Sequence, residues 1–253
     1  MNRIIQQYML AKAWWKLRRY FSIKKIPIER LGSAYGGWVV PKGVLNSKSV
    51  CYCAGAGEDI SFDLLLAEKY ECEVHIFDPT PRAVEHFKKA ESAMRQRKAM
   101  SIYNGAWAYP TTPKVLEMVQ FHEWGIWDRD SVLRFYTPAD PSHVSHSAVN
   151  LQKTDQYFEA QVYSTQQLMD NLGHQQIDML KIDIEGAEYT VMNNLLSEGL
   201  YPKILCVEFD EVNHPQDENA LLRMREALEA WIERGYDLVH QDEFFNSTLV
   251  RRT

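Results

Sequence analysis

Short apolar runs alternate with amphipathic segments along most of the chain, and this alternation predicts strands that alternate with helices. Val50 to Cys53 and Val74 to Phe77 are apolar runs too short for helices, and we interpret them as strands. Between them, Ile60, Leu64 and Ala67 recur at the spacing of one helical face. Such an alternation is typical of a doubly wound α/β domain.

The pattern continues towards the end of the chain. Further strands are predicted over Ser101–Trp107, Ile177–Ile182, Leu200–Glu211, Tyr236–His240 and Phe244–Val250, and further helices over Arg82–Arg97, from Glu188 onward and over Ala220–Arg234. A chain of 253 residues can bury the core of one large domain without needing a second. We therefore expect one α/β domain with five parallel strands and an antiparallel closing strand, preceded by a helical extension.

A loop of small residues follows the first of these strands. Ala54, Gly55, Ala56 and Gly57 form a turn through which a ligand can approach the backbone closely. The next strand ends at Asp78, 21 residues after Gly57. A βαβ unit with a glycine loop and a carboxylate at the tip of its second strand is typical of a nucleoside site, where the carboxylate binds the ribose hydroxyls.

Two acids at the start of the first helix restrict which nucleoside can bind. Glu58 and Asp59 occupy the helix end where a dinucleotide fold places its pyrophosphate, and negative charges repel one another there. S-adenosylmethionine has no phosphate and carries a positive sulfonium and a positive ammonium, so the acids favour this methyl donor. Acids at this position also cap a helix, and the two interpretations are compatible.

A second informative segment runs from Ile177 to Glu188, with the sequence IDMLKIDIEGAE. Its apolar first half predicts a central strand. Asp183 and Glu185 follow at the carboxyl end of that strand, which is where open α/β sheets bind their ligands. The segment therefore adds two carboxylates to the edge of the sheet that carries the glycine loop.

The segments LKIDIEGAE, GAGEDISFD and FDPTP resemble the FkbM-type family of S-adenosylmethionine-dependent methyltransferases. The resemblance covers most of the chain, from Val50 to Glu211. It implies a Rossmann-like, seven-stranded methyltransferase sheet with helices on both faces, and methyl transfer, usually to a hydroxyl of a sugar, polyketide or similar metabolite. The chain departs from the wider methyltransferase pattern at Cys51, where an acid is common, and at Cys53, which replaces the first loop glycine.

The resemblance also implies which residues bind the cofactor. Asp78 is expected to bind the ribose, and Asp183, Glu58 or backbone carbonyls the methionine ammonium. Ala106 and Trp107, at the exit of the third predicted strand, are candidates for the wall beside the adenine, although Trp107 fits a core position equally well. The expected cofactor-binding residues are Ala54, Gly55, Ala56, Gly57, Glu58, Asp59, Asp78, Pro79, Ala106, Trp107 and Asp183.

The segment 111–163 is the least regular part of the chain, and we interpret it as an insertion that covers the substrate. Its densest group of imidazoles and hydroxyls is His143, Ser145, His146 and Ser147. A base assists methyl transfer to an alcohol, and imidazole has the pKa best matched to neutral pH. We therefore expect His146 to act as the base, Asp183 to orient the donor and Glu208 to lie near the acceptor. Other candidates for the base are Glu185, Asp210 and His143.

Charge is distributed unevenly along the chain. The net charge is −6, but residues 1–30 contain eight Lys or Arg and one acid, so that the remaining chain carries −13. An acidic body argues against a nucleic-acid substrate, because phosphates require a basic surface. The four cysteines fall on predicted strands without a CxxC pair, which is typical of buried, reduced thiols in a cytoplasmic protein. No HxH or HxxxH spacing indicates a metal site.

Residues 1–30 are interpreted as a basic amphipathic N-terminal helix, and residues 31–253 as the methyltransferase domain. Residues 1–21 combine an apolar stripe with a basic face, and they resemble neither a signal peptide nor a membrane span. Three roles remain open for this helix: a peripheral contact with anionic lipid, a lid or dimer contact over the active site, and packing on the domain itself. We expect a cytoplasmic protein, with membrane contact as the alternative location.

Two other functions fit part of the pattern. A catalytically silent protein could use the same fold as a scaffold or a membrane-proximal adaptor. A nicotinamide-dependent oxidoreductase is disfavoured by Glu58 and Asp59 and by the single GAG segment. The favoured function is S-adenosylmethionine-dependent O-methylation of a sugar, another small metabolite or a glycoconjugate.

Overall fold

The computed structural model of the protein describes residues 20–109, 112–137, 146–149, 154–213 and 215–252. The strands are β1 Ile28–Leu31, β2 Trp38–Pro41, β3 Val50–Ala54, β4 Glu73–Phe77, β5 Ser101–Ile102, β6 Trp107–Ala108, β7 Val119–His122, β8 Gly125–Trp127, β9 Ser131–Tyr136, β10 Tyr157–Ser164, β11 Met179–Ile182, β12 Ile204–Val207, β13 Tyr236–Gln241 and β14 Ser247–Arg251. The α-helices are α1 Ser61–Tyr70, α2 Pro81–Arg95, α3 Thr165–Leu172, α4 Glu188–Glu198, α5 Asp210–Asn213 and α6 Ala220–Glu233.

One seven-stranded mixed sheet organises the fold, in the order β13-β14-β12-β11-β3-β4-β7. The five strands from β12 to β7 are parallel to one another, and β14 pairs antiparallel with β12 and with β13. The predicted α/β sheet with five parallel strands and an antiparallel closing strand is therefore confirmed. Because the carboxyl ends of β3, β4 and β11 meet at one edge, the residues that follow them lie close together.

The core lies in two layers, one on each face of the sheet. Cys51 and Cys53 of β3 point into the layer covered by α1 and α2, whereas Tyr52 and Ala54 point into the layer covered by α3, α4 and α6. This alternation follows from the two-residue side-chain period of a strand. The central strands are apolar on both faces because both faces are covered. All four cysteines are buried free thiols.

The third predicted strand is wrong. Ser101–Ile102 and Trp107–Ala108 form a separate antiparallel hairpin, and Tyr103 and Asn104 between them have left-handed φ angles of 52° and 53°. Such residues break the extended backbone that a strand needs. The strand beside β4 is instead β7, Val119–His122, which the sequence pattern assigns to the insertion.

The segment inserted into the sheet therefore begins after His122 and not at residue 111. It contains a small sheet in the order β8-β10-β9, in which β10 is parallel to β8 and antiparallel to β9. Asn194 of α4 donates a hydrogen bond to the carbonyl oxygen of Asp128, which ties this sheet to the main domain. The insertion is thus an ordered layer over its described residues.

The predicted N-terminal helix lies mostly outside the described residues. Residues 20–27 are not helical, and Ile28–Leu31 is β1, so the boundary predicted at residue 30 falls inside a strand. Pro27 fits an extended segment better than a helix interior, because it lacks a backbone N–H. Among the described residues, no helix is long and apolar enough to cross a membrane.

Candidate cofactor cleft and active site

The glycine loop after β3 touches the end of β11. Gly55 has a φ of +83°, and a Cβ added to it would lie 1.7 Å from the carbonyl oxygen of Asp183. The backbone N–H of Asp183 donates to the carbonyl oxygen of Ala54, and that of Gly55 donates to Phe77. Glycine is needed here both for the positive φ and for the close approach. The loop and Asp183 therefore form one surface, as their predicted positions required.

Asp78 fixes the glycine loop through hydrogen bonds to its backbone. Its carboxylate accepts hydrogen bonds from the backbone N–H groups of Ala56, Gly57 and Thr80, at 2.8, 2.9 and 2.8 Å. The residue is buried. A carboxylate can accept about four hydrogen bonds, so these three leave capacity for one more. Binding of the ribose by Asp78 stays a prediction, and its observed role is to position the loop.

Glu58 and Asp59 are both engaged within the protein. Glu58 pairs with Arg82 at 2.7 Å. Asp59 accepts the N–H of Ser61, the first residue of α1, but the N-cap position itself is Ile60, so neither acid is the N-cap residue. Because Arg82 offsets the charge of Glu58, the negative charge that disfavours a pyrophosphate comes mainly from Asp59 and from the acids at the ends of β11 and β12.

Two tyrosines that the sequence analysis missed flank Asp59. Tyr103 donates to the Asp59 carboxylate at 3.0 Å, and its ring centroid lies 5.5 Å from that of Tyr35. Gly36 allows this arrangement, because a Cβ there would lie 2.6 Å from the Asp59 carboxylate. An aromatic residue at the tip of a glycine-rich turn is the sequence signal for Tyr35. Both rings are exposed, and Tyr103 reaches the carboxylate of Asp59, two residues after the glycine loop.

The phenol of Tyr35 faces the acids that follow β11 and β12. Although the Tyr35 side chain is largely exposed, partial desolvation raises its pKa, and neighbouring negative charges raise it further. The acids responsible are Asp183, Glu185, Glu208 and Asp210. The cleft therefore has a glycine loop and tyrosines on one side and clustered carboxyl groups on the other.

Lys181 is a second residue that sequence reasoning missed. Its buried Nζ lies 3.0 Å from Oδ2 of Asp183 and also donates to the carbonyl oxygen of Gly55. Burial alone would lower the pKa of Lys181, but the charges of Asp183 and Asp63 outweigh burial and raise it. A lysine inside an otherwise apolar strand was the available signal. Lys181 fixes one oxygen of Asp183 and joins it to the glycine loop.

Three further acids, Glu208, Asp210 and Glu188, have pKa values above their ordinary range. Burial, together with the charges of Asp183 and Glu185, raises the pKa of Glu208 to about 9. Burial likewise raises the pKa of Asp210, and it raises that of Glu188 to about 8. Glu208 therefore keeps its proton at neutral pH. It can donate a hydrogen bond at the cleft, but it is not poised to take up a proton.

The inserted layer reaches this cleft through Ser147. The backbone of Ser147 pairs with that of Tyr136 in β9, and its hydroxyl donates to the carbonyl oxygen of Glu185. His146 precedes it and packs edge-on against Phe158 of β10, at 5.5 Å between centroids. The structure thus places the His146 segment beside the loop that follows β11. His143 and Ser145 lie outside the described residues.

Ala106 and Trp107 are not at the exit of a sheet strand. Ala106 is exposed, and Trp107 packs partly buried against the core layer under α1 and α2. The prediction that they flank the adenine depended on the third strand, and it loses that support. Pro79 lies at the end of a groove of about 760 Å³ along α2, which no glycine-loop residue lines.

The seven-stranded mixed sheet, with a glycine loop at the carboxyl edge of its parallel strands, is consistent with a methyltransferase fold. The family model for the methyltransferase FkbM domain matches residues 52–238, which is well over half of the chain. The chain therefore belongs to the FkbM methyltransferase family, and the resemblance seen in the sequence is confirmed. A search of curated proteins gave no match.

Proposed function

We propose that this methyltransferase uses S-adenosylmethionine to methylate a hydroxyl oxygen of a sugar, another small metabolite or a glycoconjugate. The observation that carries the proposal is the acidic cleft where the glycine loop meets the ends of β11 and β12. The carboxyl groups gathered there are those of Asp183, Glu185, Glu208 and Asp210. A positive sulfonium and a positive ammonium are attracted to those carboxylates of the cluster that stay ionised, Asp183 among them, whereas a pyrophosphate is repelled by them.

The residues of the cleft suit this cofactor in three ways. Gly55 leaves the loop backbone open to close approach. Asp78 retains one hydrogen-bond acceptor position for a ribose hydroxyl. Asp183, held by Lys181 and hydrogen-bonded with Glu208, presents a negative charge to the ammonium. Ala54, Ala56 and Gly57 complete the wall in this proposal, and Asp59 supports it through Tyr103.

The proposed chemistry assigns each residue a separate role. Bound S-adenosylmethionine supplies a methyl group on a positively charged sulfur. His146 takes the proton from the acceptor hydroxyl, since its segment is docked on Glu185 by Ser147. Glu208 lies near the acceptor, and because its pKa of about 9 keeps it protonated at neutral pH, it hydrogen-bonds with Asp183 and helps to hold that carboxylate. Holding the acceptor at near-attack distance contributes independently of the base.

Calorimetric titration of the purified protein tests the choice of cofactor. We expect binding of S-adenosylmethionine and S-adenosylhomocysteine but not of NAD. Asp183→Asn should weaken S-adenosylmethionine by roughly tenfold or more, because it removes a charged partner. Asp170→Asn, an exposed change on α3, is the matched control and should bind normally. Binding of NAD alone would refute the proposal, and binding of none of the three would favour a scaffold.

Methyl transfer with labelled cofactor tests the acceptor and the base. Panels of hydroxyl compounds, with sugars, glycolipids and polyketide alcohols in separate pools, should show which class gains the label. His146→Ala should lower turnover by at least about 100-fold while cofactor affinity stays normal. Near-normal turnover in this variant would place the base elsewhere.

A further inference from the structure

A second polar cluster lies at the opposite edge of the sheet from the cofactor cleft. Glu73 is the first residue of β4 and pairs with Val50, at the amino ends of the strands. His75 follows on the same face of β4, and His174 lies in the connection between α3 and β11. The cluster packs against Tyr52 of β3. Neither the methyltransferase chemistry nor the glycine loop accounts for it.

The donor atoms of this cluster converge. Nε2 of His75 lies 2.9 Å from Oε1 of Glu73, and Nε2 of His174 lies 3.7 Å from the same oxygen. All three donor atoms lie within 4.8 Å of one another. The side chain of His75 is only 1% exposed, whereas that of Glu73 is 42% exposed. The cluster is thus built into the core on one side and open to solvent on the other.

The other ring nitrogens of the two histidines are already engaged. Nδ1 of His75 lies 2.9 Å from Nε2 of His122, and Nδ1 of His174 lies 2.6 Å from the hydroxyl of Tyr52. In the metal-free protein the Nε2–H of His75 can donate to Glu73, and a metal would replace this proton. With a proton on each Nδ1 instead, both histidines donate outward and both Nε2 lone pairs are available to the ion. Metal-binding histidines characteristically have one nitrogen on the metal and the other donating to a neighbouring acceptor.

We propose that Glu73, His75 and His174 bind a divalent transition metal, with zinc as the best fit. Two imidazoles and one carboxylate are a common ligand set for zinc, with the fourth position taken by water. Ligand atoms about 2.0–2.2 Å from a tetrahedral ion lie about 3.3–3.6 Å apart. The observed separations from Glu73, 2.9 and 3.7 Å, bracket that range, and the three donor atoms lie within 4.8 Å of one another, so binding requires the two imidazoles to turn towards a common centre. The exposed side of Glu73 provides access for the ion and its water.

The position of the site indicates a structural role. A metal there would join β4 to the connection that leads into β11, two strands that flank β3 without touching each other in the sheet. An ion that binds the folded chain and not the unfolded chain stabilises the fold by mass action. The expected effect of zinc is therefore on stability, and it is separate from cofactor binding at the other edge.

Cobalt binding to the chelator-treated, tag-free protein tests the assignment directly. The wild type should bind one Co²⁺ with the visible absorption of a four-coordinate site. Glu73→Gln and His174→Gln should each weaken Co²⁺ by at least about tenfold. His240→Gln, which removes an imidazole from β13 at the far edge of the sheet, should leave binding unchanged. Because Glu73 is partly exposed, its variant should remain folded, which circular dichroism can verify.

Thermal unfolding gives a second measurement that does not involve activity. Zinc at about 100 times its dissociation constant should raise the Tm of the wild type by about 5–10 °C. The same zinc should leave Glu73→Gln nearly unshifted. Absence of stoichiometric Co²⁺ binding by the wild type would overturn the assignment. So would equal binding by the wild type and Glu73→Gln.

Discussion

A Cβ added to Gly55 would lie 1.7 Å from the carbonyl oxygen of Asp183, whereas one added to Gly43 would meet nothing within 4 Å. Both residues have similar positive φ angles, +83° and +76°. Comparing the two positions therefore separates the cost of a left-handed backbone from the cost of a steric clash. Gly43 carries only the conformational strain of a left-handed residue, and Gly55 carries that strain together with a steric clash at the cofactor loop.

Alanine substitutions at these two glycines should differ in a defined way. Gly43→Ala should lower the free energy of unfolding by about 1 kcal/mol, the cost of a left-handed non-glycine residue. Gly55→Ala should lower it by about 2–4 kcal/mol, because the loop must also move away from Asp183. Urea unfolding of both variants measures the difference. Equal losses of unfolding free energy in the two variants would mean that the loop moves away from Asp183 without an energetic cost.

Asp78 illustrates how far sequence reasoning reaches at single residues. The spacing from Gly57 correctly placed a carboxylate at the tip of the second strand, beneath the loop. The sequence could not reveal that three backbone N–H groups already bind this carboxylate, because that depends on the path of the loop in space. Lys181 was missed for a related reason, since its partners Asp183 and Gly55 meet it only once the sheet has formed.

Among the elements, β9 and the His146 segment contact the loop after β11 through the side chain of Ser147. Ser147 is buried, and its hydroxyl donates to Glu185. At the other end of β9, the hydroxyl of Ser131 makes only an exposed 3.5 Å contact with the neighbouring carbonyl. The two serines therefore form a matched pair for testing how the inserted layer is held.

Ser147→Ala should loosen this layer without unfolding the domain. The variant loses the hydroxyl's bond to Glu185 and the bond it accepts from the N–H of Val149; the first of these holds the layer, and its loss costs about 1 kcal/mol. Exchange of the Tyr136 amide, which donates to the carbonyl oxygen of Ser147, should accelerate by roughly fivefold. Ser131→Ala should leave that amide unchanged. Unaltered exchange in Ser147→Ala would show that other contacts hold the layer in place.

The elements also show where pattern reasoning fails. Strands β3, β4 and β11 were predicted nearly to the residue because they are apolar runs flanked by turns or helices, whereas the predicted strand Leu200–Glu211 contains β12 only at Ile204–Val207 and its last two residues lie in α5. Ser101–Trp107 and Val119–His122 are both short and mixed in polarity, so local pattern alone could not decide which one joins β4. Membership of a parallel sheet is decided by pairing between distant segments, and the left-handed residues at Tyr103 and Asn104 break the first candidate.

On the scale of the whole molecule, the clustered acids make stability depend on pH. The pKa of Glu208 is about 9 in the folded protein, far above its ordinary value of 4.5. Between these values the folded chain keeps a proton that the unfolded chain releases. Stability from this group is complete below pH 4.5 and is lost as the pH rises towards 9.

Glu208→Gln removes this dependence while keeping the shape of the side chain. The variant should match the wild type near pH 5 and become progressively more stable than the wild type up to pH 9. Urea unfolding at several pH values measures the gap. Glu226→Gln, an exposed change on α6, should show no comparable trend. A constant gap between wild type and Glu208→Gln would mean that Glu208 is ionised in the folded protein.

The strand order affects the sequence in which contacts can form as the chain folds during synthesis. In the sheet, β3 lies between β4 and β11. β4 follows β3 closely in the sequence, but Asp178, which accepts the N–H of Val50 just before β11, lies 128 residues further along the chain. Closing so long a loop is slow, and until β11 arrives one edge of β3 is open to unwanted pairing. The contact between Gly55 and Asp183 must therefore be among the later ones to form. A ligand that recognises that contact can bind only the folded protein. By stabilising the folded protein, it lowers the population of incompletely folded chains that can aggregate.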